Sequence, residues 1–221
     1  MKKSISILVC MLGIIVSNAQ MPDKFVKAVE AKLPVLDTTH TIQGYTDLAN
    51  AFERMAEAEK NQWLAYYYAA FCNASAGLVA GSGGDMMEAK AEKTDPYADK
   101  AEKQIKKAEE LAKNNSEIFI VKKMIATLRM LGDPMNRYMT YGPEAASMLE
   151  EAKKLNPDNP RVYLLEGQDK YYTPEQFGGS KEEAKELFEK SQKLFESFKA
   201  ESAIHPGWGK SQIEYFLSLY K

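Results

Sequence analysis

The sequence predicts an all-α fold in which antiparallel helix pairs stack into an α-α superhelix. Three observations support this prediction: apolar residues recur at helical spacing, four helices share one register, and the junctions between helix pairs have one length. The predicted array also has an N-terminal accessory helix and a C-terminal capping helix, because the ends of a repeat stack need covering. No strand-like alternation competes, since the short apolar stretch at 118–121 continues with helical spacing.

Apolar periodicity places amphipathic helices along most of the chain. Leu48, Phe52 and Met55 recur at three- and four-residue steps, and the same spacing returns around Ile105 and Leu149. Residues at these steps lie on one face of a helix, which can then be buried against a neighbouring helix. The sequence therefore predicts a series of helices that each bury one face.

Four of these helices share one pattern of side chains, at offsets of 4, 7 and 12 residues. The four sets are Leu48, Phe52, Met55 and Lys60; Ala101, Ile105, Ala108 and Lys113; Ala145, Leu149, Ala152 and Pro157; and Ala184, Phe188, Ser191 and Glu196. In three sets a large residue follows the bulky position by 14 residues, as in Phe52 to Tyr66, Ile105 to Phe119 and Leu149 to Tyr163. A junction of constant length fixes how successive helices pack, so the pattern predicts a structural repeat.

This register resembles a divergent tetratricopeptide repeat (TPR) protein over residues 44–198. The best-preserved part is the segment 156–160, followed by Tyr163 and by Gly167 at a position where two helices approach closely. The sequence departs from the family because the first two sets lack the closing proline and Lys123 replaces a small residue. The segment 172–179 is also similar to small exported bacterial TPR-like proteins of unassigned activity. The resemblance implies a protein-interaction or scaffolding module without catalytic activity.

The first 19 residues have the pattern of a signal peptide. Lys2 and Lys3 precede an apolar run at 5–16, and Ser17 and Ala19 are the small residues expected before cleavage. We therefore expect an exported protein, either periplasmic or extracellular. The predicted organisation is a signal peptide at 1–19, an N-terminal helix and linker at 20–43, the TPR-like domain at 44–198 and the capping helix at 199–221.

Composition narrows the classes of partner. Removal of Lys2 and Lys3 with the signal peptide changes the formal charge from −2 to −4, so no basic excess favours nucleic acid. No later apolar run predicts an integral membrane segment. We expect a protein or peptide partner in a groove between the helix pairs. The alternative is a small molecule, held between helices by a solute-binding component of an envelope transport or assembly system.

Residues that carry chemistry are scarce. His40 and His205 are the only histidines, and Cys72 is the only cysteine left once the signal peptide is removed. The sequence has neither a Gly-x-Ser-x-Gly elbow nor a His-x-x-x-His spacing. We therefore expect no catalytic residue, no metal site and no cofactor.

The connectors within the helix pairs are the predicted contact surfaces, because the repeat register does not require them. Five residues in or beside two of these connectors, at 131–143 and 173–180, form the predicted partner-binding site: Arg137, Tyr138, Tyr141, Tyr171 and Phe177. Aromatic and arginine side chains contribute much of the contact energy at interfaces. A third connector, at 77–96, is rich in glycine and is expected to be a flexible link.

Both of the first two connectors also have a purely structural interpretation. Met135, Tyr138 and Met139 are apolar enough to fold back onto the core beneath the connector. In the second connector, Ser180 is expected to cap the next helix with Glu183 three residues later, and Phe177 to cover the space between helices. A deep cavity lined by Tyr138, Tyr171 and Phe177 would favour the small-molecule alternative over a protein partner.

Overall fold

The computed structural model describes residues 21–83 and 88–221, so the predicted signal peptide at 1–19 lies outside the described residues. Helices and one 3₁₀ turn, at Glu175–Phe177, are the only regular elements in these ranges, which confirms the all-α prediction. The helices are α1 Asp23–Glu30, α2 Leu33–Thr38, α3 Ile42–Ala58, α4 Trp63–Gly81, α5 Ala91–Leu111, α6 Ser116–Gly132, α7 Pro134–Leu155, α8 Pro160–Tyr172, α9 Lys181–Ser197 and α10 Lys210–Ser218. None of the described helices has an apolar stretch long enough to cross a membrane.

Consecutive helices pack as adjacent pairs, as the sequence predicts. α4 packs along α5, α6 along α7 and α8 along α9, and α4 also contacts α6. α4 is apolar on all sides and is buried along most of its length, because neighbours surround it. The amphipathic helices α3, α5 and α9 instead bury one stripe each, centred on Phe52, Ile105 and Phe188.

The segment before the array contains more helix than the sequence predicts. α1 buries Phe25 and Val29, and the predicted linker includes α2, which buries Leu36. α3 then begins at Thr41, whose hydroxyl accepts a hydrogen bond from the backbone N–H of Gly44. Such a side-chain acceptor satisfies one of the free donors at a helix start.

The predicted connector at 131–143 is mostly helical, so its prediction as a loop is wrong. Only Asp133 separates α6 from α7, and its carboxylate accepts a hydrogen bond from the backbone N–H of Asn136. Pro134 occupies the first turn, where its lack of an N–H costs little. Pro143 is accommodated inside α7. The two prolines suggest a turn in the sequence, but Pro134 lies at the start of α7 and Pro143 lies in its interior.

The junction between α7 and α8 is less closely packed than the other junctions between helix pairs. α3 with α4 and α5 with α6 pack closely, whereas α7 and α8 share few close backbone contacts. Lys123 of α6 is buried, and its Nζ lies 2.6 Å from Asp169 Oδ1 of α8. The long side chain that replaces a small residue in the repeat therefore spans the space between these helices.

The segment between α9 and α10, residues 198–209, returns across the amino-terminal half of α4. Tyr68 donates a hydrogen bond to the Ile204 carbonyl at 2.9 Å, and the Trp208 indole N–H donates to Tyr67 Oη at 2.8 Å. The Trp208 ring also packs on Phe71, with centroids 4.6 Å apart. The chain's own α9–α10 segment therefore covers this face of the helical array.

A buried polar group joins the starts of α6 and α8 beneath that segment. Glu117 accepts hydrogen bonds from Arg161, Asn159 and Tyr67. Arg161 is 1% exposed and lies against the rings of Phe195, Phe198 and Trp208. Because its charges and donors are matched, the interactions within this group offset the cost of desolvating it.

Candidate functional site

Five aromatic side chains of α8, α10 and the turn that follows α10 form one group, which we call the C-terminal aromatic cluster: Tyr171, Tyr172, Tyr215, Phe216 and Tyr220. Phe216 is its buried centre, with its ring centroid 5.5 Å from those of Tyr171 and Tyr215 and 6.0 Å from that of Tyr172. The rings meet edge to face, an arrangement that aromatic pairs favour. Tyr172 and Tyr215 are 56% and 59% exposed, so the cluster has an open aromatic surface.

Packing against α9 fixes the position of this cluster. Phe216 stacks on Phe188 of α9, with centroids 4.5 Å apart and planes 14° apart. Phe188 in turn lies against the bare backbone of Gly167, where a Cβ would be 2.6 Å from the ring. α10 reaches this position through Gly209, whose φ of 116° is a conformation that glycine adopts readily. The aromatic surface therefore rests on a rigid support of three packed helices.

The amino-terminal end of α9 brings a positive charge to the cluster. Lys181 Nζ lies 5.1 Å from the centroid of the Tyr171 ring, and Tyr220 donates a hydrogen bond to the Lys181 carbonyl at 2.8 Å. Lys170 is also close to this helix start, but its ammonium pairs with Glu183 and donates to the Gly178 carbonyl. Within the described part of the chain Lys181 forms no ion pair. Its charge is therefore available to an acidic group on a ligand.

Tyr172 and Tyr220 of the cluster are neutral phenols at ordinary pH. Partial burial raises the pKa of Tyr172 above its usual value, and the neighbouring Tyr215 and Tyr171 phenols raise this pKa further. Burial and Tyr171 likewise raise the pKa of Tyr220. The surface therefore presents uncharged rings with hydroxyl groups at their edges.

A second exposed apolar surface lies on the first turns of α7, and we call it the α7 surface. Its members Met135, Tyr138 and Met139 are 70%, 54% and 82% exposed. Their spacing of three and four residues puts them on one side of the helix. The prediction that these three side chains fold back onto the core is wrong, because they point into solvent.

Arg137 holds the α7 surface in place rather than forming part of it. Its guanidinium donates to both carboxylate oxygens of Asp95 on α5, at 2.7 and 2.9 Å, and to the Arg129 carbonyl at 3.2 Å. The hydrogen bond from Arg137 lowers the pKa of the Asp95 carboxyl below its usual value. This paired geometry is the strong form of an arginine–carboxylate contact, and it fixes the start of α7 against α5.

The five predicted site residues fall on these two surfaces. Tyr138 is exposed on α7, Tyr141 is half-buried one turn later, and Arg137 is engaged with Asp95. Tyr171 is a half-buried member of the C-terminal aromatic cluster, whereas Phe177 is 66% exposed in the 3₁₀ turn after α8. The proposal that Phe177 covers the space between helices is therefore wrong. Ser180 does cap α9 as expected, accepting from the Glu183 N–H at 3.1 Å.

The carboxyl-terminal half of the aromatic cluster was not predicted. Tyr215, Phe216 and Tyr220 belong to the segment that the sequence predicts as a cap, and they lie more than 40 residues from Tyr171 in the chain. The close spacing of these three aromatic residues near the end of the chain was the available signal. Periodicity identifies such a face but not the distant helix that it meets.

Two depressions in the described part of the surface are open grooves. One of about 480 Å³ lies between α3, α4 and α5, and includes Thr46, Tyr97, Lys93 and Lys100. Another of about 390 Å³ lies between α9 and α10, beside Tyr220. Neither is lined by Tyr138, Tyr171 and Phe177, so the enclosed cavity considered for a small molecule is not formed there. A ligand that binds to either of these grooves would therefore bind on an open face of the protein.

The residues that hold metals or act as nucleophiles are placed apart from both surfaces. His205 is partly buried, with Nδ1 2.7 Å from Ser202 Oγ and Nε2 3.2 Å from Glu201 Oε2. Cys72 is buried in α4, and burial raises the pKa of its thiol. Across 21–83 and 88–221, histidine, cysteine, aspartate and glutamate side chains form no cluster suited to a metal ion.

The fold and this site define an all-helical protein of paired helices with an exposed aromatic surface. The sequence matches no protein-family model and none of the curated proteins. Among solved structures it is similar to the HusA haemophore from Porphyromonas gingivalis, with 34% identity and a TM-score of 0.76, over 91% of this chain and 96% of that chain. The chain belongs to the family of the HusA haemophore. A haemophore is a binding protein for a small molecule, not an enzyme.

Proposed function

We propose that this protein binds haem, or a closely related tetrapyrrole, as a carrier outside the cytoplasm. The observation that carries the proposal is the 34% identity with the HusA haemophore across nearly the whole of both chains. Identity of this extent goes with a shared fold, and a shared solute class follows as the simplest hypothesis. The small-molecule alternative from the sequence thereby becomes the preferred function.

The covered face of α4 favours a small-molecule ligand over a peptide bound along the helical array. A peptide-binding groove needs a free face along successive helices, yet the α9–α10 segment occupies the amino-terminal half of α4. Ile204 and Trp208 of that segment are almost fully buried, so displacing them would expose apolar surface to water. A ligand that binds an outer face avoids this cost.

The side chains available also determine how haem would be held. His205 already has both ring nitrogens engaged, and His40 is exposed on the turn before α3. Exposed aromatic rings and a free lysine suit the flat, apolar face and the two carboxylates of haem. Binding would therefore rest on packing and charge, with iron coordination in a secondary role.

The test is an absorption titration of the chain beginning at Gln20 with hemin. A saturable shift of the Soret band, together with a higher melting temperature in the presence of hemin, is expected for specific binding. The same chain unfolded in urea serves as the control, because unfolded polypeptide adsorbs hemin without saturation. If the folded and the unfolded chain titrate alike, haem binding is rejected.

Export is proposed on the sequence pattern of residues 1–19, with the periplasm as the expected compartment. The test is to fuse the full chain, and the chain without residues 1–19, to a reporter that is active only after export. Reporter activity should require residues 1–19. Equal activity from both fusions would contradict the proposal.

A second function is proposed for the α7 surface, namely contact with a protein partner. Met135, Tyr138 and Met139 are exposed together on a helix that Arg137 holds rigidly, and methionine and tyrosine are common at such contacts. This retains the interaction module that the divergent TPR register implies. Crosslinking from position 139 in native envelopes should yield a specific adduct, and the absence of one there would count against the contact.

A further inference from the structure

We propose that the C-terminal aromatic cluster is the tetrapyrrole docking surface, on which the ligand stacks against Tyr172 and Tyr215 with a carboxylate near Lys181. This inference rests on the proposed function and adds a location and a binding mode. It begins from an unusual feature, two tyrosines more than half exposed beside one buried ring. Large apolar side chains grouped at a surface mark binding sites more often than chance.

The geometry of the cluster suits a flat ligand. Tyr172 and Tyr215 each meet Phe216 edge to face, at interplanar angles of 77° and 68°, so one buried ring supports both. Their exposed faces offer area for stacking without any change of the backbone. Stacking on rings that are already fixed costs little conformational entropy.

Charge at the cluster favours a ligand with acidic groups at its edge. Lys181 lies at the first turn of α9 and above Tyr171, where its ammonium and the positive end of the helix act in the same direction. Glu183 nearby is neutralised by Lys170, and Glu214 of α10 is exposed. Haem carries two carboxylates on one edge of an otherwise apolar plane, which matches a cluster of rings with a cation in contact with one of them.

The α7 surface is less suited to the same ligand. Its exposed members include one ring, Tyr138, beside two flexible methionines. Arg137, the cation nearest in sequence, is already bound to both oxygens of Asp95. The α7 surface therefore lacks the paired rings and the free charge, and it provides a matched comparison.

The test compares exposed tyrosines of nearly equal accessibility in hemin titrations. Tyr172→Ala combined with Tyr215→Ala should weaken hemin binding about tenfold or more, since each ring contributes stacking as well as buried area. Tyr138→Ala should leave the affinity unchanged. Wild-type protein that fails to bind hemin would reject the proposed function. Binding by wild type that survives the double substitution would reject only this location.

Two further substitutions test the binding mode and separate it from loss of folding. Tyr172→Phe with Tyr215→Phe keeps both rings, so wild-type affinity supports stacking, while a loss equal to that of the alanine pair overturns it in favour of the hydroxyl groups. Metal-free protoporphyrin should bind wild type about as well as hemin does, and a requirement for iron would also overturn stacking. Circular dichroism of each variant establishes that it is folded.

Two lysine substitutions on α9, at Lys181 and Lys185, test the contribution of charge. Lys181→Gln should weaken hemin binding about two- to fivefold and reduce its dependence on salt. Lys185→Gln removes the same charge one turn later, from a lysine that pairs with Glu189, and should have no effect. Equal effects of the two substitutions would show that only net charge matters and would overturn the role of Lys181.

Discussion

Arg161 of α8 and Glu117 of α6 form a buried ion pair, with Arg161 Nε 2.9 Å from Glu117 Oε2. Arg161 is almost fully buried, and Glu117 also accepts from Asn159 and Tyr67. The pair connects two helices whose backbones make few close contacts. It therefore supplies part of the attachment that apolar packing supplies at the other junctions.

We predict that Arg161→Met lowers the free energy of unfolding by about 3 kcal/mol, because it leaves the Glu117 carboxylate buried without its cation. Urea denaturation measures this change. Combining Arg161→Met with Glu117→Gln should recover part of the loss, since glutamine carries no charge and keeps one oxygen that can accept from Asn159. An Arg161→Met variant as stable as wild type would contradict the importance of the pair.

Two glycines inside helices are predicted to differ in how much an alanine costs. At Gly167 a Cβ would lie 2.6 Å from Phe188, which is itself packed on Phe216, so Gly167→Ala should cost about 1–3 kcal/mol. At Gly142 the nearest atoms apart from its chain neighbours are 3.5 Å or more away, but the following Pro143 disfavours helical backbone for a residue with a Cβ, so Gly142→Ala should change stability by no more than about 1 kcal/mol. Thermal unfolding of both variants provides the comparison. A gain in stability at Gly167 would mean that Phe188 can move aside.

Lys123 is predicted to be replaceable by an apolar residue of similar length. Its buried ammonium has one partner, Asp169, and an ion pair of this kind repays little more than its desolvation. Lys123→Met should therefore be as stable as wild type or more stable by about 1–2 kcal/mol. Asp169→Asn, which leaves the ammonium buried, should instead be destabilising. A large loss of stability in Lys123→Met would show that the charge itself holds α6 and α8 together.

His205 is predicted to make stability depend on pH between about 7.5 and 5.5. Burial lowers the pKa of its imidazole below the usual 6.5, although Glu201 and Glu117 oppose this effect. As pH falls through 6.5, the unfolded chain takes up a proton that the folded chain does not yet bind, so the free energy of unfolding falls. In His205→Gln this component is absent. The stability of wild type relative to His205→Gln should therefore decrease with falling pH, and a constant difference would contradict the prediction.

Much of the fold follows from the sequence because the spacing of apolar residues in each helix indicates which face the helix buries. The shared register around Phe52, Ile105 and Phe188 predicts helix pairs, and the structure has them. Lys123 stands out in that register as a departure, and it lies at the junction where α8 is held apart. Local pattern is sufficient here because neighbouring helices in a repeat pack mainly on each other.

The candidate site was only half predictable, for two physical reasons. Tyr171 belongs to a repeat helix, but Tyr215 and Phe216 reach it through the path of residues 198–209, which no periodicity specifies. Around Pro134 and Pro143, residue types that commonly end helices were tolerated within one because of the Asp133 cap and the Arg137 anchor. The first case depends on contacts between distant segments, and the second combines a local cap with the distant contact of Arg137 with Asp95.

The position of residues 198–209 also determines when this protein can finish folding. Tyr67 and Tyr68 bury themselves against Trp208 and Ile204, partners that are synthesised about 140 residues later. While the chain emerges from a ribosome or a translocation channel, the amino-terminal half of α4 stays uncovered until residues 198–209 are available. An uncovered apolar helix is prone to aggregation or chaperone binding. The array therefore cannot mature repeat by repeat from its start. Its last two dozen residues complete a core that its first helices begin.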